Sequence, residues 1–205
     1  MLPAAPLFSS AHAALTFAFN YSSQVYDRPL MSRLASTSRQ GSGKGLGGVD
    51  GAAQAGMLLS KLDELSELHQ LMVFARFMRK TVACPCCASE VWDADWLAVV
   101  RKISDAALGA GILSGHVVHR SVRDGLVIRH FAGKKGRDRV PLTSLAAKAG
   151  ISERTVTDQN GKITLWLRGS RLPPKHGANA VVGEEDRALA KIENALALAG
   201  CIGAG

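Results

Sequence analysis

Residues 142–158, with the sequence LTSLAAKAGISERTVTD, constrain the fold more strongly than any other part of this 205-residue chain. The first half carries apolar residues at helical spacing, and the small side chain of Ala146 allows a second helix to cross closely. Gly150 follows four residues later, where a left-handed backbone costs least for glycine. Ser152 suits the N-cap of a following helix, and Val156 returns to the core. The spacing predicts two helices joined by a tight turn.

This spacing resembles the helix-turn-helix of bacterial and phage regulators, in which the second helix lies in the major groove of DNA. Upstream, SVRDGLVIRHFAG followed by VPLTSLAAKAGISERTV is similar to the three-helix module of sigma-factor region 4, over residues 121–159. A glycine-rich N-terminus, a central cysteine cluster and this C-terminal module are also loosely similar to small DNA-binding proteins of prophages, including late-gene antitermination proteins of the Q type. The resemblance implies a sequence-specific transcriptional regulator of phage or prophage type, acting as repressor, activator or antiterminator.

The side chains of this module divide by the chemistry that they offer to DNA. Arg154 is the first candidate for reading guanine, because its forked donors match the paired acceptors of that base in the major groove. The residues that could reach base edges are Glu153, Arg154, Thr157 and Asp158. Those placed for phosphate contacts or helix capping are Thr143, Ser144, Ser152 and Thr155. Nonspecific electrostatic attraction would come from Lys134, Lys135, Arg137, Arg139, Lys148 and Lys162.

The distribution of charge favours a polyanionic partner. The whole chain has a formal net charge of +8. Between residues 114 and 176, thirteen lysines and arginines face four acidic residues, a net charge of +9, so the rest of the chain sums to −1. A basic surface that serves only solubility is the alternative interpretation. Because neutralised phosphates release counterions, this concentration predicts double-stranded DNA as the partner. The resemblance to antitermination proteins implies RNA polymerase as a further candidate.

The end of the second helix is open to two interpretations. Modules of this kind usually have an apolar residue at the position of Gln159, and Asn160-Gly161 is a strong turn signal. Either the helix ends there after two turns, or residues 154–167 form a β-hairpin, since apolar residues alternate after the glycine.

The chain as a whole divides into three zones along its sequence. Residues 1–56 are rich in Gly, Ser and Ala, and seven glycines between positions 41 and 56 are typical of a flexible segment. Residues 57–115 have apolar residues at three- and four-residue steps, which predict helices on both sides of the cysteines. Residues 116–205 are basic and end in the helical stretch GEEDRALAKIENALALAG. The predicted fold is mainly α, with a C-terminal helix-turn-helix module and a flexible N-terminal region.

Three of the four cysteines are crowded into the sequence ACPCCASEVW. Cys84 and Cys87 have the two-residue separation that lets both thiolates bind one zinc ion. A tetrahedral structural site needs further ligands, for which Cys86, His69 or another remote histidine, and Cys201 are candidates. The alternative is a set of free cysteines at a helix junction. A zinc site formed by Cys84, Cys86 and Cys87 is therefore one of two open hypotheses.

Signals for other classes of function are weak. In GSGKGLGG the lysine is followed by glycine, whereas a Walker motif needs Ser or Thr there. The sequence shows no carboxylate cluster that could hold magnesium in a nuclease or recombinase, so we do not expect an enzyme. No uninterrupted apolar run reaches about 18 residues, so we expect no membrane partner. The cysteine pattern is no disulfide framework, which favours a location in the cytoplasm. The alternative function is an adaptor whose helix-turn-helix docks transcription or replication machinery.

Overall fold

The computed structural model describes residues 7–27, 48–115, 118–132, 140–170 and 181–203. The helices within these residues are α1 Ala11–Asp27, α2 Gly48–Ser60, α3 Glu67–Phe77, α4 Ala94–Gly109, α5 Arg120–Ala132, α6 Leu142–Ala149, α7 Glu153–Arg168 and α8 Glu184–Leu198. A 3-10 helix spans Lys61–Glu64, and strand β1 (Thr81–Ala83) pairs antiparallel with β2 (Glu90–Trp92). None of the described helices is long and apolar enough to cross a membrane. The described chain is mainly helical, which confirms the mainly α part of the predicted fold.

The described residues group into two compact units. The first takes in the residues up to Ser66, the segment Phe77–Arg79 and the residues from Ala190 onward. The second takes in Glu67–Arg76 and Lys80–Leu189. Each unit therefore combines segments that are distant in sequence. The three zones inferred from composition follow chain order, and that division stays a prediction.

The first unit is built around α1 and α2, which pack against each other. Ala14, Leu15 and Ala18 of α1 are buried, as is Leu58 of α2. Small alanines on both helices let the two backbones approach closely, so an alanine-rich sequence can still bury apolar surface. These helices differ from the expectation that residues 1–56 form one flexible segment, and most of the glycine run on which that expectation rested lies outside the described residues.

The apolar stripe of residues 57–78 does not form one continuous helix. Helix α2 ends at Ser60, the 3-10 helix follows, and Leu65 has an extended backbone with φ −87° and ψ 156°. Helix α3 then begins at Glu67. Leu62 and Leu65 are nevertheless buried, so apolar residues at helical spacing reach a core even where the helix is interrupted.

In the second unit, α4 supplies the largest buried side chain. Asp93 caps this helix, since its side chain accepts hydrogen bonds from the backbone N–H groups of Asp95 and Trp96. Trp96 is fully buried, and its Nε1 donates to the carbonyl oxygen of Ala75 in α3 at 3.0 Å. Val100 and Ile103 continue the buried face of α4, which packs against α5. The α4 helix predicted from the sequence is thus present and amphipathic.

Helices α5, α6 and α7 all pack against one another. At Gly125 of α5, an added Cβ would overlap Cδ2 of Leu145 in α6. The buried face of α7 consists of Val156, Gln159, Ile163 and Leu167. The three helices therefore share one apolar core.

Two glycines allow the backbone at the end of α7 to lie close to the backbone at the start of α8. Gly169 has φ 75°, and a Cβ there would overlap the carbonyl oxygen of Val181. A Cβ on Gly183 would overlap the carbonyl oxygen of Leu167 in the same way. Gly169 also forms an antiparallel bridge with Val182. Since only glycine allows backbones to approach so closely, these positions hold the start of α8 against the end of α7.

Candidate functional site

The turn between α6 and α7 has a defined backbone conformation. Gly150 follows α6 with φ 64° and ψ 28°, the left-handed region in which glycine costs least. The N–H of Ile151 donates to the carbonyl oxygen of Ala146 at 3.2 Å, and that of Gly150 donates to Ala147 at 3.4 Å. These bonds satisfy carbonyl groups at the helix end, as in other glycine-terminated helices. The glycine has the turn conformation that the sequence predicts for it.

Helix α7 begins with a side-chain cap and continues further than the sequence predicted. The Oγ of Ser152 accepts a hydrogen bond from the N–H of Thr155 at 3.1 Å. The helix then runs through Asn160 and Gly161 to Arg168. The helical alternative for residues 154–167 is therefore confirmed, whereas the expected end after two turns and the β-hairpin are wrong. Buried residues recur at helical spacing on both sides of Asn160-Gly161, so tertiary packing outweighs the local turn propensity.

The outer face of α7 begins with the residues predicted to reach base edges. Glu153, Arg154, Thr157 and Asp158 are all exposed. Among the described residues, Arg154 has no hydrogen-bond or ion-pair partner, so its guanidinium is available to a ligand. Further along the helix, the exposed Lys162 donates from Nζ to the carbonyl oxygen of Ser114 at 3.2 Å.

The residues predicted to touch phosphates have more varied positions. Thr143 and Lys148 of α6 are exposed, whereas Ser144 and Thr155 are half-buried. Ser152 is engaged as the cap of α7. Four predicted cations lie outside the described residues, namely Lys134, Lys135, Arg137 and Arg139.

Part of the positive charge counted in the sequence is used inside the protein. Arg123 of α5 is 5% exposed, donates from Nε to Oγ of Ser104 at 2.7 Å and pairs with Asp105. Arg120 lies 3.8 Å from a carboxylate oxygen of Asp105. Arg129 donates to the carbonyl oxygen of Val140 at 2.5 Å. Arg123 is buried and paired, so its charge is not available to a partner, whereas Arg120 is 66% exposed and Arg129 keeps its charge when it bonds to a neutral carbonyl.

The cysteines lie at the tip of the β1–β2 hairpin, an element that the sequence analysis did not predict. The N–H of Cys84 donates to the carbonyl oxygen of Ser89 at 2.8 Å, and the N–H of Ala88 donates to that of Cys84 at 2.9 Å. Ala88 has φ 56° in the left-handed region. The hairpin could have been recognised from the β-forming residues on both sides of the cysteines, Thr81-Val82 and Val91-Trp92.

Three thiols converge at this tip. The Sγ atoms of Cys84, Cys86 and Cys87 all lie within 4.8 Å of one another, and the first two are 3.0 Å apart. The Ser89 hydroxyl, 2.9 Å from Sγ of Cys87, is the main cause that lowers the pKa of Cys87 to about 7. A hydrogen bond with Cys86 lowers the pKa of Cys84 in the same way. Hydrogen bonds with Cys84 and Cys87 raise the pKa of Cys86. Since thiolates are the form that binds metals, this cluster could hold a metal ion once Cys86 is also deprotonated, which ion binding favours.

The remote candidates for a fourth ligand are not part of this group. Nε2 of His69 lies 3.3 Å from Oε2 of Glu184, and Cys201 belongs to the first unit. Among the described histidine, cysteine and acidic residues, only the three hairpin thiols form a set that could hold an ion.

A polar cluster in the second unit is buried around Glu185 of α8. Its Oε1 accepts a hydrogen bond from Nε of Arg76 at 2.5 Å, and its Oε2 lies 2.7 Å from Nε2 of His130. Burial by itself raises the pKa of Glu185, but the hydrogen bond from His130 and the charge of Arg76 outweigh it and hold this pKa below its ordinary value. Sequence reasoning missed this cluster, because its members are 55 and 109 residues apart.

The chain has no match among protein-family models, curated proteins or solved structures. The likeness to helix-turn-helix regulators therefore depends on the residues quoted above. Within the described residues, the surface of α6 and α7 and the cysteine hairpin both present polar or thiol side chains to solvent.

Proposed function

We propose that this protein is a sequence-specific DNA-binding regulator of transcription, in which α6 and α7 form a helix-turn-helix and α7 enters the major groove. The observation that carries the proposal is the contrast between the two faces of α7. Val156, Ile163 and Leu167 are buried, while Arg154 and Asp158 are exposed in the first two turns. A helix held along one side and exposed at its N-terminal end is what major-groove reading requires.

The turn supports the same proposal by restricting the angle between the helices. Gly150 with its left-handed backbone and Ser152 as the N-cap leave the connection few alternative conformations. Contact of α5 with both α6 and α7 gives the pair a common support. A reading helix has to keep its side chains in register with base edges, so a rigid support favours discrimination between sites.

Arg154 is the residue to which we assign base reading. It is exposed, lies in the first turn of α7 and has no partner among the described residues, so binding would break no ion pair within that part of the chain. Its planar guanidinium can donate two parallel hydrogen bonds to O6 and N7 of guanine. Exposed Lys148 and Lys162 would lie near phosphates on either side and add affinity that does not depend on sequence.

We also propose zinc as the ion for the cysteine cluster, because thiolate ligands at this spacing suit it. Regulation of phage or prophage type and antitermination through RNA polymerase extend the DNA-binding proposal and follow from the resemblance alone. A cytoplasmic location is proposed from the cysteine pattern, which is no disulfide framework.

A pair of variants on the same helix tests the assignment of Arg154. Arg168 is the matched control, because it is also exposed and lies on α7, about 21 Å further along the helix axis at 1.5 Å per residue. A cognate site is first selected from a random duplex library. Cognate and scrambled duplexes are then titrated with each variant at several salt concentrations.

Arg154→Ala should weaken cognate binding by about 1–3 kcal/mol, roughly 5- to 150-fold, with little effect on scrambled DNA. Arg168→Ala should affect both duplexes alike, because a distant cation contributes at most to phosphate contacts. Equal losses on the two duplexes with Arg154→Ala would overturn the assignment of base reading. Binding that hardly changes with salt, or no binding to duplex DNA, would favour the adaptor function instead.

A further inference from the structure

The hairpin tip holds three thiols on a backbone that is already ordered. The hydrogen bonds of Cys84 with Ser89 and Ala88 close the turn. At the base of the hairpin, the N–H of Asp93 donates to the carbonyl oxygen of Lys80 at 2.9 Å. Because the ligand-bearing backbone has a set conformation, binding an ion requires rotation of side chains only.

The distances between the thiols suit a single ion. Zinc–sulfur bonds of about 2.3 Å place the sulfur atoms of a tetrahedral site about 3.8 Å apart. The three Sγ atoms lie within 4.8 Å of one another, and the pair from Cys84 and Cys86 is 3.0 Å apart. Cys86 and Cys87 are exposed, so small χ1 rotations of unconfined side chains would equalise these separations.

The ligand set is incomplete for a closed site. Structural zinc sites have four protein ligands, whereas sites with three protein ligands keep one position for a ligand from solution. Among the described residues, no further cysteine, histidine or carboxylate joins the three thiols. The exposed side of the cluster is where a ligand from solution would approach.

We propose that Cys84, Cys86 and Cys87 together bind one thiophilic metal ion as three thiolates, with the fourth coordination position taken by an exchangeable small ligand such as water or a thiol. This differs from a closed structural site, and from a two-cysteine site that uses only the outer pair of the motif. The proposed metal site is independent of DNA binding, because DNA binding can be tested separately with metal-free protein. An open position makes the bound ion accessible to ligands from solution. A small thiol should therefore readily replace the ligand at the fourth coordination position.

Cobalt(II) is a suitable probe, because its absorption reports both the number of thiolates and the geometry around the ion. Metal-free, reduced full-length protein is titrated with Co²⁺ without oxygen, and the sulfur-to-cobalt charge-transfer band is recorded. We expect one ion per chain. Cys86→Ser should lower the band intensity by about a third, because one thiolate of three is lost. Cys201→Ser is the matched control and should leave the spectrum unchanged.

The open position is tested by adding a small thiol to the cobalt-loaded protein, which should increase the charge-transfer intensity as a fourth thiolate binds. An unchanged spectrum with Cys86→Ser would overturn the three-thiolate set. No response to the added thiol, or one ion for every two chains, would overturn the exchangeable position. Absence of cobalt binding by protein whose circular dichroism shows it to be folded would overturn the whole proposal.

Discussion

Replacement of Glu185 by glutamine tests how much the buried polar cluster contributes to stability. Glu185 is 3% exposed and interacts with Arg76 and His130. Glutamine preserves the shape of the side chain but removes its charge and turns one acceptor into a donor. The amide oxygen could still accept from Arg76, but its NH2 group could bond to His130 only through an unprotonated Nε2, so both interactions would lose the contribution of the carboxylate charge.

The size of the effect follows from the burial of the partners. Removing one member of a fully buried ion pair costs about 3–5 kcal/mol, because it leaves an uncompensated charge. The side chain of Arg76 is 37% exposed, so water can compensate part of its charge, whereas that of His130 is 9% exposed. We therefore expect Glu185→Gln to lower the free energy of unfolding by about 2–3 kcal/mol at neutral pH.

The effect should depend on pH with a definite sign. Because the pKa of Glu185 in the folded protein is lower than its ordinary value, the folded state favours the ionised carboxylate. The contribution of this carboxylate to stability is fully present above the ordinary glutamate pKa of about 4.3. It is lost as the pH falls through the lower pKa of the folded protein. The difference in stability between the wild-type protein and Glu185→Gln should therefore shrink below about pH 4.

Urea unfolding followed by circular dichroism measures both quantities, with Glu184→Gln as the matched control. Glu184 also lies in the first turn of α8, so both substitutions remove the same favourable interaction with the helix dipole. Its side chain is 19% exposed and its contacts are with His69 and Arg187, so we expect a loss of about 1 kcal/mol or less. Equal losses for the two variants, or a Glu185→Gln loss that does not decrease in acid, would refute the reasoning.

Two further predictions concern the turn glycines and the hairpin thiols. Gly150→Ala should lower the free energy of unfolding by about 1–2 kcal/mol, because the φ of this residue is positive but an added Cβ would meet open space. Gly169→Ala should lower it by about 3 kcal/mol or more, because an added Cβ would overlap the carbonyl oxygen of Val181. Equal urea midpoints for these two variants would contradict the structural explanation. In metal-free protein, alkylation of Cys87 by iodoacetamide should reach half its maximal rate near pH 7, the value to which Ser89 lowers its pKa, and Ser89→Ala should move that point upward. Peptide mass spectrometry measures both profiles, and identical profiles would argue against the hydrogen bond.

The sequence by itself determined the features that depend on neighbouring residues. Gly150 predicted a left-handed turn and Ser152 a helix start, because backbone sterics and capping involve only a few successive residues. The mainly helical fold also followed from the sequence, since apolar residues at three- and four-residue steps indicate one-sided helices. The proximity of Cys84 and Cys87 is likewise a consequence of their spacing.

Only the tertiary structure decided the features that depend on partners distant in the chain. Asn160-Gly161 is a turn signal, yet α7 continues through it because burial of Val156 and Ile163 on the same face stabilises four turns of helix. Arg76 lies 109 residues from Glu185, and no spacing rule connects two residues so far apart. The three arginines of α5 count as available charge in the sequence, but Arg123 is buried and paired with Asp105. Local preferences amount to about 1 kcal/mol per residue, whereas burial of a single large apolar side chain contributes about 1.5–3 kcal/mol, so packing decides where the two disagree.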